Sequence, residues 1–181
     1  MEDNRMTEET SYRGWLKKDL GSLIDALGLA EVQKHFLHSR WLDQVLWMEA
    51  KADSARKRYY ILRLVAIVGG VLVPALISLE TGGWIKGIAF GVSLLVAISV
   101  AVEEFFHFGE RWRHYRRSVE LLKIEGWLFF QLSGPYRECK EHAEAYPQFG
   151  GKIEEILQYE VDVYISQVVR EKGEKKEGGA A

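Results

Sequence analysis

The stretch LVAIVGGVLVPALISLETGGWIKGIAFGVSLLVAISVAV, residues 64–102, decides the fold. It holds two hydrophobic runs, 64–79 and 87–102, neither with a charge inside it, separated by the tight Glu80-Thr-Gly-Gly-Trp84 turn. With residues 59–63 in front of the first run and 84–86 opening the second, each reaches roughly 19–21 residues. At the rise of an α-helix that is about 30 Å, the thickness of a bilayer's hydrocarbon core. The competing reading is a helical hairpin buried in a soluble core. A chain of 181 residues with 28% charged side chains offers too little apolar surface elsewhere to wrap two such helices. The expected fold is therefore all-α and integral to a membrane. It is a two-transmembrane helical hairpin whose long helices extend into a cytosolic helical bundle.

The flanks set orientation. Arg56, Lys57, Arg58 and Arg63 precede the first span and Arg111, Arg113, Arg116 and Arg117 follow the second, whereas only Lys86 lies near the turn. Positive charge concentrates on the cytoplasmic side, so both termini are expected there. Arg58, Tyr59, Tyr60 and Arg63 on one side, and Trp84 and Lys86 on the other, sit where headgroup anchors and an aromatic belt belong. The first 30 residues are polar and lack the apolar core of a signal peptide, so the first span is expected to act as its own insertion signal. Cys139 is the single cysteine, which excludes an intrachain disulfide and fits a reducing compartment. A net charge of −2 gives no bias towards nucleic acid.

Working outward, residues 1–29 are read as an N-terminal amphipathic cytosolic helix, with Trp15, Leu16, Leu20, Leu23, Ile24 and Leu27 at helical spacing up to Gly28. Residues 30–58 form a cytosolic stalk helix in which Leu37, Trp41, Val45, Met48, Ala52, Ala55 and Tyr59 recur at steps of three and four. Span 1 covers 59–79, with Gly69-Gly70 and Pro74 predicting a kink or loosening. An extracytoplasmic turn follows at 80–84 and span 2 at 85–102. From there Ala101, Phe105, Phe108, Trp112, Tyr115, Val119, Leu122, Gly126 and Phe129 repeat at alternating four and three, predicting one unbroken heptad seam through a cytosolic extension, 103–133. Going back into the membrane, Ile98, Leu94, Gly91 and Gly87 prolong that seam, and Gly87 and Gly91 allow close helix approach. Residues 134–172 are read as a loop-rich stretch to Gly150-Gly151, with a short helix around 136–145, then a last helix over 152–171 presenting Ile153, Leu157, Val161, Tyr164 and Val168. The tail, 173–181, is expected to be disordered.

No phosphate loop, nucleophile elbow, paired cysteines or dinucleotide fingerprint occurs, so no enzyme activity, cofactor or metal site is expected. Glu104-x-x-His107 has the spacing used by di-iron carboxylate bundles, but the required second copy is missing. His35 and His38 are read as a solvated or hydrogen-bonded pair. Cys139 has no activating base beside it.

Glu103, His107, Glu110 and His114 step by four, three and four onto one helix face, which carries Ser99, Val96 and Val92 into the membrane. One reading gives this face to lipid and water, with Glu/His pairs merely supporting the helix. The sharper reading turns it towards the central axis of several copies. Val92, Val96, Ser99, Glu103, His107 and Glu110 then line a pore, with Val92 and Val96 as its constriction, Glu103 as a carboxylate ring, Glu104 as a further acid for the inner mouth and Glu80 at the outer mouth. In that reading the opposite seam, including Gly87, Gly91, Ala101, Phe105, Phe108, Trp112 and Tyr115, packs helices together.

A resemblance runs across the spans and their flanks. Arg56-Lys57-Arg58-Tyr59-Tyr60-Ile61-Leu62-Arg63 enters the first span and Pro74 lies within it. Glu110-x-Trp112-x-x-Tyr115-Arg116 and Glu120-x-Leu122-x-x-Glu125 follow the second, and Tyr136, Phe149, Glu154 and Glu160 come later. From 41 to 164 the chain resembles the SLATT family, the two-transmembrane effectors associated with SMODS nucleotidyltransferases and SLOG domains, and its uncharacterised-domain branch. The resemblance implies a bacterial inner-membrane protein with cytosolic termini, proposed in that family to form pores in conflict or antiphage systems; it brings no catalytic residues. The expected function is a homo-oligomeric, cation-permeable channel or pore-forming effector, a tetramer or pentamer whose partners are lipid, its own copies and permeant ions. The alternative is a non-conducting membrane anchor that presents a coiled coil for interaction or signalling.

Overall fold

The computed structural model describes residues 12–78 and 83–177, with side chains described as far as residue 162. Among the described residues all regular structure is helical and there is no strand. Helix α1 is Tyr12–Ala26 and α2 is Glu31–Phe36; a π-helical turn, Leu37–Leu42, leads into α3, Asp43–Ser78. Helices α4, Gly83–Phe106, and α5, Phe108–Phe130, follow; a 3₁₀ turn, Gly134–Tyr136, then precedes α6, His142–Glu177. The chain divides into two compact units, one formed by Glu49–Arg116 and the other by the residues on either side of it.

The flanking unit has an aromatic-rich core. Leu16, Leu20 and Ile24, four apart, bury one stripe of α1, while Trp15 on the other side stays exposed and stacks on Tyr12 at 6.1 Å. Helix α2 opens without a side-chain cap on Ala30; instead the Ala30 N–H donates to Gln33 Oε1 at 3.0 Å. The π turn was not foreseen. Its extra residue per turn puts Leu37, Trp41 and Leu42 inside together. Trp41 Nε1 donates to the Leu122 carbonyl at 3.0 Å, and the indole lies where Gly126 has no side chain: a Cβ there would come 2.2 Å from Trp41 Cζ2. Phe129 stacks on Phe149 with ring centres 4.3 Å apart.

Helix α5 stops in a left-handed turn. Leu132 has φ 46°, the Ser133 N–H reaches back to Leu128 O at 2.9 Å, and Gly134 continues at φ 59°. The loop expected up to Gly150-Gly151 ends earlier, at residue 141, and from His142 the chain is helix. Ala145, Phe149, Ile153 and Leu157 continue a step of four across the glycine pair, and all four are buried. Burying Phe149 against Phe129 outweighs the roughly 1 kcal/mol that each glycine costs a helix. The expected short helix at 136–145 reduces to the 3₁₀ turn, and α6 runs past residue 173 to Glu177. Val161 is exposed rather than on the buried stripe, and the side chains of Tyr164 and Val168 lie outside the described residues.

Helix α3, which belongs to the flanking unit up to Met48 and to the other unit from Glu49, buries the stripe predicted for it at Met48, Ala52 and Ala55 and runs on through Pro74 to Ser78. The predicted seam past span 2 is corrected at one residue. His107, at φ 48°, interrupts the helix between Phe106 and Phe108. The consequence is a change of buried face. Phe108 is 7% exposed and Val119, Leu122 and Phe129 are fully buried, as the seam requires, yet its upstream members Ala101 and Phe105 are exposed.

Candidate functional site

The site starts from the apolar helices. Two helical segments, Glu31–Ser78 and Gly83–Phe106, are long and apolar enough to cross a membrane, and only 6% and 11% of their most apolar stretches are buried by the chain itself. Ile61, Leu64, Val71 and Ile77 on α3, and Trp84, Phe90, Leu94, Leu95 and Ile98 on α4, are all exposed. A soluble core would bury these side chains; a bilayer solvates them.

The few contacts within the hairpin fall on the face expected to line a pore. On α4, Ile85, Ala89, Val92, Val96, Ser99, Val102 and Glu103 are the buried or half-buried residues, all but Val102 on or beside that face. Val96 presses on Gly69 of α3: a Cβ at position 69 would lie 2.2 Å from Val96 Cγ2 and 3.5 Å from Val92 Cγ1. Ser99 is buried, its hydroxyl donating to the Leu95 carbonyl at 2.8 Å. In one copy, then, Val92, Val96 and Ser99 face a helix of the same chain, because glycine at 69 lets α3 come close there.

Glu103 is also tied down. Its Oε1 accepts the Gly109 N–H at 3.2 Å, capping the start of α5, and its Oε2 is buried without a hydrogen-bond partner among the described residues. His107 is the break and Glu110 lies beyond it, and both are exposed, so the structure separates them from the Val92–Ser99 face. Gly87 and Gly91 are exposed, with nothing near a Cβ built on either. They and Ala101 and Phe105 point outward, whereas Phe108, Trp112 and Tyr115 are buried or half-buried. Glu80 lies outside the described residues.

Some of the residues expected to anchor the chain at the membrane surface pack on one another. Tyr59 packs on Trp112 at 6.3 Å and on Tyr60 at 5.5 Å, while Tyr60 lies 5.8 Å from Trp112. The Arg58 guanidinium sits 5.6 Å over the Phe108 ring. Arg63, Trp84 and Lys86 are exposed. Arg116, one of the basic residues that follow the second span, bonds Glu49 Oε1 at 2.8 Å, and Glu49 is 2% exposed.

The acids and aromatics that carried the resemblance are braces. Tyr136 OH donates to Glu125 Oε1 at 2.5 Å, and burial first, then this carboxylate, pushes the phenol above the usual tyrosine range. Arg40 holds Glu154 through two bonds of 2.8 and 2.7 Å, which lowers that carboxyl below its ordinary value. Ser118 Oγ donates to Glu160. Sequence reasoning missed these pairings because the partners lie 11 to 114 positions apart and follow no period.

A cleft of about 420 Å³, also unforeseen, is lined by Glu125, Pro135, Tyr136, Gln148, Gly151, Lys152 and Glu155. No group of three metal-ligating side chains occurs among the described residues. His38 bonds Asp25 at 2.9 Å, and Ser39 Oγ donates to the carbonyl of His35. Glu104 is exposed, and Cys139 is half-buried and free.

The model of the family described as "Protein of unknown function (DUF4231)" matches residues 43–144, more than half of the chain and the whole of the hairpin. The chain belongs to this family. No curated protein and no solved structure matches it.

Proposed function

We propose that this protein is a homo-oligomeric channel or pore-forming effector of the bacterial inner membrane, passing cations, with both termini in the cytoplasm. The observation that supports it best is the outward apolar shell on both helices, which the chain leaves to be covered by lipid and by its own copies. The excess of arginine and lysine at 56–63 and 111–117 supports the orientation. The SLATT likeness supports pore formation and a role in conflict or antiphage defence.

Because Val92 and Val96 already pack on Gly69 within one chain, we propose a lining on another face of α4. Lys86, Ser93, Ala97 and Glu104 share one side of α4, and all are exposed. Turned towards a common axis, this face offers small and polar side chains through the membrane and a carboxylate ring from Glu104 at the inner mouth. The outward seam of Gly87, Gly91, Leu94 and Ile98 then meets the neighbouring copy. Cation flux into liposomes tests this: Glu104→Gln weakens cation over anion selectivity, and Glu103→Gln leaves selectivity unchanged. A purified oligomer that conducts nothing under any trigger refutes it.

The second reading is a non-conducting anchor presenting its helical unit to partners. It is favoured by the confinement of Glu103 to a capping contact, which removes one carboxylate from any lining.

A further inference from the structure

We infer that the α4–α5 junction is a two-state hinge. In one state it is broken at His107; in the other, α4 and α5 join into a single straight helix. The inference does not depend on conduction, since it concerns the backbone of one chain.

The sequence carries two incompatible instructions at this point. The seam from Gly87 through Phe105, Phe108 and Trp112 to Phe129 keeps heptad spacing without interruption, the pattern of one continuous helix. The structure uses only its second half: Phe108 is buried, whereas Ala101 is exposed and Phe105 is 69% exposed. Upstream of the break α4 buries the opposite face, Val92, Val96, Ser99 and Glu103. A straight helix cannot present both faces inward, so the break selects one arrangement and leaves the other written in the seam.

The broken state is held and opposed by identifiable groups. His107 occupies left-handed backbone, which a non-glycine residue adopts at a cost. Glu103 pays part of that back by accepting the Gly109 N–H, but its Oε2 is then buried without a partner among the described residues. Gly109 admits the arrangement because it lacks a side chain: a Cβ would come 2.8 Å from Tyr59 Cε2. In the straight state His107 returns to helical backbone and the Glu103 side chain is released. Two small penalties set against two local contacts make the states close in free energy, as a switch element requires.

Spin labels at Ala97→Cys and Arg113→Cys, both exposed positions, read the junction in the full chain with Cys139→Ser, in nanodiscs. A straight helix separates their backbones by about 24 Å; the broken form is shorter. His107→Gly removes the left-handed penalty and raises the ratio of short to long distances by about five- to tenfold. His107→Ala and Glu103→Ala lower it, while Glu103→Gln, which still accepts the Gly109 N–H, stays near the starting distribution. The hinge is refuted if all four variants share one distribution, or if glycine and alanine at 107 move it the same way.

Discussion

Gly69 and Val96 are paired across the hairpin so closely that a single methyl group on residue 69 would overlap Val96 Cγ2 at 2.2 Å. Neighbouring Gly70 has open space around it. Gly69→Ala is therefore expected to force the helices apart and cost about 1–3 kcal/mol, with Gly70→Ala close to neutral. Unfolding of the detergent-solubilised chain by increasing SDS measures both. Adding Val96→Ala to Gly69→Ala should restore part of the loss, because it removes the overlapping methyl groups.

Trp41 fills the corresponding gap at Gly126. Gly126→Ala should be as disruptive as Gly69→Ala, since the indole is fully enclosed. Trp41→Ala should cost about 3–5 kcal/mol, and Trp41→Phe less, losing chiefly the bond to the Leu122 carbonyl. Thermal denaturation followed by near-ultraviolet circular dichroism separates the three.

Arg116 is set apart from its basic neighbours by its bond to buried Glu49. Arg116→Ala should destabilise the fold by about 1–3 kcal/mol, discounted from a fully buried pair because the arginine is half exposed. Arg113→Ala, on an exposed side chain, should stay within about 0.5 kcal/mol. The same SDS titration distinguishes the two, and Glu49→Ala with Arg116→Ala should cost less than the sum of the single changes.

The Arg40–Glu154 pair makes a pH prediction. Arg40 holds the Glu154 carboxyl below its ordinary 4.5 in the folded protein. A lowered folded-state value contributes stability above the unfolded value and loses it as pH falls through the folded one. The Tm advantage of the wild type over Glu154→Gln should be constant at neutral pH and vanish on acidification below about 4.5. Both side chains are close to half exposed, so the advantage should be at most about 1 kcal/mol and shrink with salt.

The helices were legible wherever burial follows a period. Met48, Ala52 and Ala55 on α3 and Phe108, Val119, Leu122 and Phe129 on α5 occupy the positions their spacing predicts. The lost features are those that periodicity cannot encode. A left-handed residue at 107 changes which face is buried without changing the composition of the stripe, and the π turn at 37–42 adds Leu42 to the interior while Leu37, Trp41 and Val45 stay buried as predicted. The glycine pair at 150–151 argued for a loop until Phe149 was found stacked on Phe129.

The packing of the expected lining was not legible for a related reason. Spacing shows that Val92, Val96, Ser99 and Glu103 share a face, but not what that face meets. The answer depended on the absent side chain of Gly69, which carries no hydrophobic signal of its own. Glu49, Arg116, Glu125 and Tyr136 were visible as residues and invisible as pairs, since each partnership is made by tertiary structure.

Membrane insertion of both helices carries the whole account, and single-cysteine accessibility in sealed vesicles tests it most directly. In a Cys139→Ser background, Val71→Cys and Leu94→Cys sit on surfaces that the chain leaves open, as does Val32→Cys at the other end of the helical segment Glu31–Ser78. If lipid covers the hairpin, a membrane-impermeant maleimide applied to the cytoplasmic face labels position 32 and leaves 71 and 94 unmodified until the protein is denatured. Equal labelling of all three in the intact protein would contradict the account.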